Sequence, residues 1–233
     1  MSGSQIIKTL VISLNENVFK PTATTHLLIN SILEEENSPG RLLDLGSGCG
    51  IVGIALFKAK LAKDKLYSSD VSVQAVENTR INCKQNKVPV ETKIGSILEP
   101  WQNHKFDYIV DDISGVAEKI AEISPWFKNI PCDSGEDGAK LTIEVLRSSP
   151  SLLNKNGNLY FPIINFSNKD KILMNANKYF SDVRCVSRVE WPIPQEINEH
   201  IDLMIDMKKQ GTIDYTEKLG ISLGYTEIYK AKI

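Results

Sequence analysis

The stretch LLDLGSGCGIVGIAL, residues 42–56, sets a carboxylate beside closely spaced glycines: Asp44, then Gly46, Gly48, Gly50 and Gly53. Glycines between a strand and a helix let the backbone approach a ligand closely and leave the helix N-terminus facing it. Gly48, Gly50 and Gly53 alone have the G-x-G-x-x-G spacing of a dinucleotide turn. Asp44 argues against that ligand, because a carboxylate two residues before the first glycine would repel a pyrophosphate and attract a cation. A second acid, Asp70 in YSSDVS, ends the next strand-like run, where it can accept both hydroxyls of a ribose. A nucleoside carrying positive charge satisfies both acids, and S-adenosylmethionine (SAM), with its ammonium and sulfonium, is such a molecule.

Further along, DYIVDDISG places Asp111, Asp112 and Ser114 at the end of another strand-like run. A carboxylate there can take a proton from an ammonium or hydroxyl, or hold a cation by a charge-assisted hydrogen bond. Asp112 is the candidate catalytic residue and Ser114 a second contact, with Asp111 facing the cofactor's ammonium; the competing reading is that one carboxylate caps the helix in SGVAEKIAEI. Trp126 and Phe127 can wall an acceptor pocket or anchor their loop to the core. Trp191 or Tyr160 can face a sulfonium by cation–π attraction.

These residues need elements to hold them. Strand-like runs occur at RLLDL, KLYSSD, VETKIG, FDYIVDD, NLYFPII and VRCVSRVEW, and helical spacing occurs over residues 51–62, 72–86, 138–153 and 169–180. Strands alternating with helices predict an α/β chain with a mostly parallel sheet covered on both faces. At the N-terminus, IIKTLVISL alternates at period two and predicts a strand or hairpin, followed by a helix over residues 22–33. After Trp191 a Pro-rich corner leads to an amphipathic helix presenting Ile197, Ile201, Met204 or Ile205, and Lys208. ISLGYTEIYKAKI then predicts a closing strand, antiparallel to the rest. The expected organisation is a single domain over residues 1–233, with residues 1–40 as an N-terminal strand and helix cap and residues 192–220 as a helical insertion before the last strand.

Composition narrows the remaining classes. The 233 residues carry a net charge of −2 with 42% hydrophobic content, so no broad attraction to phosphate backbones or anionic lipid is expected, and a small-molecule substrate without nucleic acid or membrane is the expected partner. The first residues lack the basic start and apolar middle of a signal peptide, and a cytoplasmic location is expected. Cys49, Cys83, Cys132 and Cys185 are scattered without C-x-x-C spacing, as are His26, His104 and His200, so no metal is expected.

The run D-L-G-S-G-C-G, followed by SSDVSVQAVENTRINC, resembles the class I SAM-dependent methyltransferases. VFKPTATTHLL, GSILEPW and GEDGAKLTIEVLRSSPSLLNKNGNLYFPI bring the resemblance nearest to the release-factor glutamine methyltransferases and related small-domain methyltransferases. It implies a three-layer Rossmann-like fold with a seven-stranded, mostly parallel sheet and an antiparallel last strand. It also implies that Asp44, Gly46, Ser47, Gly48 and Gly50 line the methionine part of SAM, that Asp70 binds the ribose, and that Val71, Ser96 and Ile97 surround the adenine. Relatives often have an acid where this chain has Ser96. They also place N-P-P-Y where DYIVDDISG puts Asp111, Asp112, Ile113, Ser114 and Gly115, which argues against a planar amide as acceptor.

The expected function is therefore SAM-dependent methylation of an amine or hydroxyl on a small molecule or side chain. An alternative is a SAM-consuming enzyme in which SAM's own amine closes a four-membered ring, releasing methylthioadenosine. A non-catalytic SAM-fold partner would show degraded glycines or a lost ribose acid, and both are intact.

Overall fold

The computed structural model describes residues 3–113, 115–128, 130 and 132–233. Its strands are β1 (Leu42–Leu45), β2 (Leu66–Asp70), β3 (Val90–Ile94), β4 (Phe106–Asp111), β5 (Leu153–Ile164), β6 (Asp182–Pro192), β7 (Thr216–Lys218) and β8 (Ile221–Lys232). They form one sheet in the order β3-β2-β1-β4-β5-β8-β6, with β7 paired to β8. Pairs among β1 to β5 are parallel, and β8 runs antiparallel to both β5 and β6. The expected seven strands are present, and the eighth is the short β7, which closes a hairpin through Leu219 and Gly220, both at positive φ.

All four residues of β1 are buried, as the two-sided cover of a parallel sheet requires. One face is covered by α1 (Gly3–Ile7), α2 (Ala23–Glu35), α3 (Ile51–Lys58) and α4 (Val73–Gln85), which pack around Leu28, Ile32, Leu42, Ile54 and Cys83. On the other, α6 (Lys140–Ser148) and α7 (Lys169–Tyr179) pack around Leu43, Ile109, Leu146, Phe161 and Ile172. A third cluster joins α5 (Glu118–Ile123), α8 (Gln195–Asn198) and α9 (Ile201–Lys209) through Ile120, Phe166, Ile197, Met204 and Met207.

Two local expectations are corrected. Residues 6–14 form no strand: α1 ends at Ile7, and the extended segment that follows lies across α4. Asn86 pairs with both the N–H and the carbonyl of Val11, Asn82 does the same for Ser13, and Asn78 takes the N–H of Asn15 while donating to the Ser13 carbonyl. A ladder of side-chain amides thus replaces a neighbouring strand, satisfying backbone groups that period-two patterning had suggested would pair with one. In the insertion, the helix breaks between Asn198 and Ile201, which shifts its phase; Met204 and Met207 are buried while Ile201 and Ile205 are 36% and 37% exposed.

Because the strand order reverses direction between β1 and β4, a crevice opens beyond their C-terminal ends, where ligands bind in open α/β sheets. Leu45 of β1 lies opposite Asp111 of β4 there, so the glycine loop and the DDISG segment emerge side by side.

Candidate functional site

A cleft of about 980 Å³ occupies this crevice. One end is formed by the glycine loop, the ends of β2 and β3, and the start of α4. The other is formed by Asp112, Ile113, Val116, Trp126, Phe127 and Trp191.

The glycine loop is held by a compact network. Gly46 and Ser47 donate their N–H groups to the Ser69 carbonyl, and Gly50 donates to the Ser47 carbonyl. Gly46 has φ +67°, and a Cβ there would come within 2.8 Å of Ile113 and 3.1 Å of its backbone. Gly48, at φ +52°, is different: a Cβ there would meet only the Phe19 carbonyl, at 3.7 Å, so its surface is open to the cleft. Gly53 lies inside α3, where a Cβ would strike Leu66 and Asp44, so the last glycine of the G-x-G-x-x-G spacing serves helix-to-strand packing.

Of the residues singled out from the sequence, Gly46, Ser47, Gly48, Asp70, Val71, Ser96, Ile97 and Asp112 line the cleft. Asp70 ends β2, with Oδ2 accepting from Gly48 N at 3.0 Å and Oδ1 from Ser72 N at 2.9 Å. Each oxygen keeps a lone pair for a hydroxyl. Val71, 68% exposed, and Ile97 offer apolar surface to the same cleft.

Three of the expected residues do not line it. Asp44 is fully buried beneath the loop, its Oδ2 accepting from Gly53 N at 3.0 Å. Gly50 is the N-cap of α3 and packs on Thr79. Asp111 is turned inward, its Oδ1 accepting from Ile113 N at 3.0 Å. Ser114 lies outside the described residues. Tyr160 is also displaced from its expected role: it is fully buried and donates to Glu36 Oε1 at 2.5 Å, below the cleft. Trp191 does face the cleft, and its indole N–H donates to Thr226 Oγ1 at 3.0 Å.

Asp112 is the carboxylate at the aromatic end of the cleft. Its N–H extends the β4 ladder by donating to the Leu45 carbonyl, and its Oδ2 accepts from Thr25 Oγ1 at 3.2 Å. Burial pushes Asp112 up to about 7 despite the Thr25 bond, and Asp111 likewise to about 7. Asp44 rises to about 8, through burial first and then through the neighbouring charges of Asp112 and Asp70. Among the described residues no group of three His, Cys, Asp or Glu side chains could hold a metal ion.

The sequence reading missed two hydroxyls. Thr25, in the first turn of α2, aims Asp112. Thr79, on α4, donates to the Gly48 carbonyl at 3.1 Å and lies 3.1 Å from Ser47 Oγ. A threonine inside a helix gives only a weak signal, because propensity disfavours it without saying what its hydroxyl reaches.

The residues present fit SAM. The buried Asp44 Oδ1 has no hydrogen-bond partner among the described residues, Gly48 leaves room for a ligand, and Asp70 meets a nucleoside's hydroxyl chemistry.

Comparison with known proteins places this geometry. Residues 15–112 match the family model described as methyltransferase small domain. The release factor glutamine methyltransferase of Aquifex aeolicus is 31% identical over 121 residues, covering 49% of this chain and 42% of the relative. The ribosomal RNA small subunit methyltransferase C of Haemophilus ducreyi is 28% identical over 156 residues, covering 64% of this chain and 46% of the relative. This chain thus spans under half the length of either. A crystal structure of a ribosomal protein L11 methylase from Lactobacillus delbrueckii has the same fold, with a TM-score of 0.59 at 18% identity, covering 95% of this chain and 86% of that one. The two curated relatives are named for a release factor and for rRNA, which overturns the expectation of a small-molecule acceptor with nucleic acid set aside. They lend nothing to ring closure on SAM. In its glycine loop and its fold the chain is similar to the class I SAM-dependent methyltransferases, whose cofactor is SAM, and residues 15–112 match the methyltransferase small domain.

Proposed function

We propose that the chain methylates an amine or hydroxyl presented by a protein acceptor in the cytoplasm. In this reading the open surface of Gly48, with Gly46 and Ser47, borders the methionine portion of SAM. Asp70 takes the ribose hydroxyls, and Val71 and Ile97 flank the adenine, with Ser96 at its edge. Asp44 and Asp111, set behind the loop, act through their charge on the cofactor's cationic centres. SAM supplies an electrophilic methyl group. The chain's own contribution is alignment, which can provide about 7–11 kcal/mol of a barrier by holding the nucleophile in line, and a carboxylate to receive the nucleophile's proton.

The observation that carries the reading is Asp112. It is held by Thr25 at the boundary between the glycine loop and the aromatic wall, where an incoming nucleophile would stand. The protein acceptor is supported by the relatives named for release factors. A second reading, methylation of a base extruded from RNA, is favoured by the perpendicular Trp126–Trp191 pair, with ring centroids 5.8 Å apart, since aromatic side chains stack extruded bases.

Incubation with SAM labelled on the methyl group and fractionated cell extract tests both. Label in the protein fraction, lost by at least about a hundredfold in Asp112→Asn with SAM binding retained, is the expected result. Label in the RNA fraction alone would replace the first reading with the second.

A further inference from the structure

The acceptor end of the cleft specifies a substrate class through its charge. Among the described residues lining the whole cleft there is no Lys, Arg or His. The carboxylates are Asp70, Asp112 and Asp133. Asp70 belongs to the ribose end, and Asp133 is held at the surface by Lys140 at 2.8 Å. Asp112 is left facing the acceptor space without a cation. No cation reaches it from the core side either: the groups behind it are Asp44 from β1 and Asp111 from its own strand, both buried and bonded to backbone N–H groups. Apart from the uncharged hydroxyls of Thr24 and Thr25, the walls at this end are mainly aromatic or aliphatic. Trp126 packs edge-on against Trp191, Phe166 backs both at 6.2 and 5.9 Å, and Phe127 contacts Phe19 at 5.3 Å. Aromatic faces with an unpaired carboxylate form a receptor for an organic cation.

Resting on the proposed methyl transfer, we infer that the group methylated is an aliphatic amine of a protein, a lysine side chain or a chain N-terminus, recognised in its ammonium form by Asp112 and the Trp126–Trp191 wall. A hydroxyl or amide would place a neutral group against an uncompensated charge. The ammonium gains a charge-assisted bond to Asp112, while its alkyl stem covers the apolar wall.

The chemistry balances. The ammonium passes one proton to the Asp112 carboxylate, which frees the nitrogen lone pair. That pair forms the new N–C bond as the methyl–sulfur bond breaks, its electrons staying on sulfur as a neutral thioether. The proton on Asp112 leaves to water, and the product is a methylammonium. The raised proton affinity of Asp112 and the apolar walls, which disfavour the ammonium's charge, bring donor and acceptor closer together.

Two measurements test the inference. In the first, n-butylammonium and its neutral counterpart butyramide are titrated against the chain with S-adenosylhomocysteine present, followed by tryptophan fluorescence. A preference of about tenfold or more for the cation, lost in Asp112→Asn, is expected. Equal binding, or a preference that survives Asp112→Asn, overturns the inference. In the second, labelled protein from the transfer assay is hydrolysed to amino acids. Methyl-lysine or an N-methyl amino-terminal residue supports it. Label on glutamine overturns it but leaves protein methylation standing, and label in RNA alone overturns both. Cation preference with no label in any fraction supports the recognition and overturns the proposed methyl transfer.

Discussion

Thr25 Oγ1 donates to Asp112 Oδ2 across 3.2 Å, tying the first turn of α2 to the residue that follows β4. The same hydroxyl accepts from Thr22 N at 3.4 Å, so its direction is fixed by the helix cap. One residue earlier, Thr24 Oγ1 lies 3.1 Å from Thr226 Oγ1, which receives the Trp191 indole N–H. The start of α2 therefore sets both the carboxylate and the aromatic wall of the acceptor side.

Thr25→Val removes the bond that favours the charged form of Asp112. It should raise that group's pKa and move the acid limb of the kcat profile to higher pH, while SAM affinity measured by calorimetry changes less than about threefold. Thr25→Ser keeps the donor and should restore the wild-type profile. Loss of the buried hydroxyl should cost about 1 kcal/mol of stability.

The buried acids also set the pH dependence of stability. Asp112, Asp111 and Asp44 have folded pKa values of about 7, 7 and 8, above the 3.8 of an exposed Asp. A folded state that holds protons the unfolded state has released is stabilised at low pH and loses that advantage as pH rises through the folded values. Glu35, Glu91, Glu190 and Glu227 are shifted down, so their contribution is lost only on acidification below about 4.5. Between pH 5 and 8 the Asp cluster dominates. Thermal melts without ligand should show Tm falling across that range, and Asp44→Asn should flatten the fall while weakening SAM binding. Asp44 faces Asp112 and Asp70, so the variant removes charge repulsion while keeping an acceptor for Gly53 N.

The sheet and its crevice were legible because strand and helix periodicities are set by burial, and burial is written into residue type. Side-chain direction was less so. Tyr160 and Trp191 looked equivalent as aromatic candidates, yet Tyr160 lies low on β5, bonded to Glu36, while Trp191 reaches the cleft near the end of β6. Asp44 was read from the sequence as a charge facing the ligand, whereas its contact is with Gly53 under the loop. The start of the N-terminal run, Ile6 and Ile7, is helical, and the stretch after it pairs with side chains of α4 instead of with a strand. The partner had left a trace, since Asn78, Asn82 and Asn86 recur every four residues on one helical face.

Asn82 is the centre of that ladder. It is fully buried, accepts from Ser13 N, and donates to the carbonyls of Ser13 and Cys49 at 2.9 and 2.8 Å. It thus links the N-terminal segment to the glycine loop. Asn82→Ala deletes these bonds and strands the Cys49 carbonyl and the Ser13 N–H, while the Ser13 carbonyl keeps Asn78, so a loss of about 2–4 kcal/mol is expected in urea unfolding. Faster amide exchange over residues 11–15 and weaker SAM binding should accompany it. Asn86→Ala touches Val11 and the Asn82 carbonyl but not the loop, so it should loosen the segment while leaving SAM affinity near wild type.

Gly46 and Gly48 separate loop architecture from ligand space. Both have positive φ, which strains any residue with a Cβ, but only at Gly46 would the new atom also press on Ile113 and its backbone. Gly46→Ala should therefore destabilise the chain by about 2 kcal/mol or more and displace the Asp112 segment, lowering kcat and SAM affinity together. Gly48→Ala meets nothing nearer than the Phe19 carbonyl, so its stability cost should be about 1 kcal/mol, from backbone strain alone. Its methyl would occupy cleft space, so the SAM dissociation constant should rise while the apo protein melts close to wild type. If the two variants instead lost stability and affinity in the same proportion, Gly48 would have to be counted with the architecture of the loop.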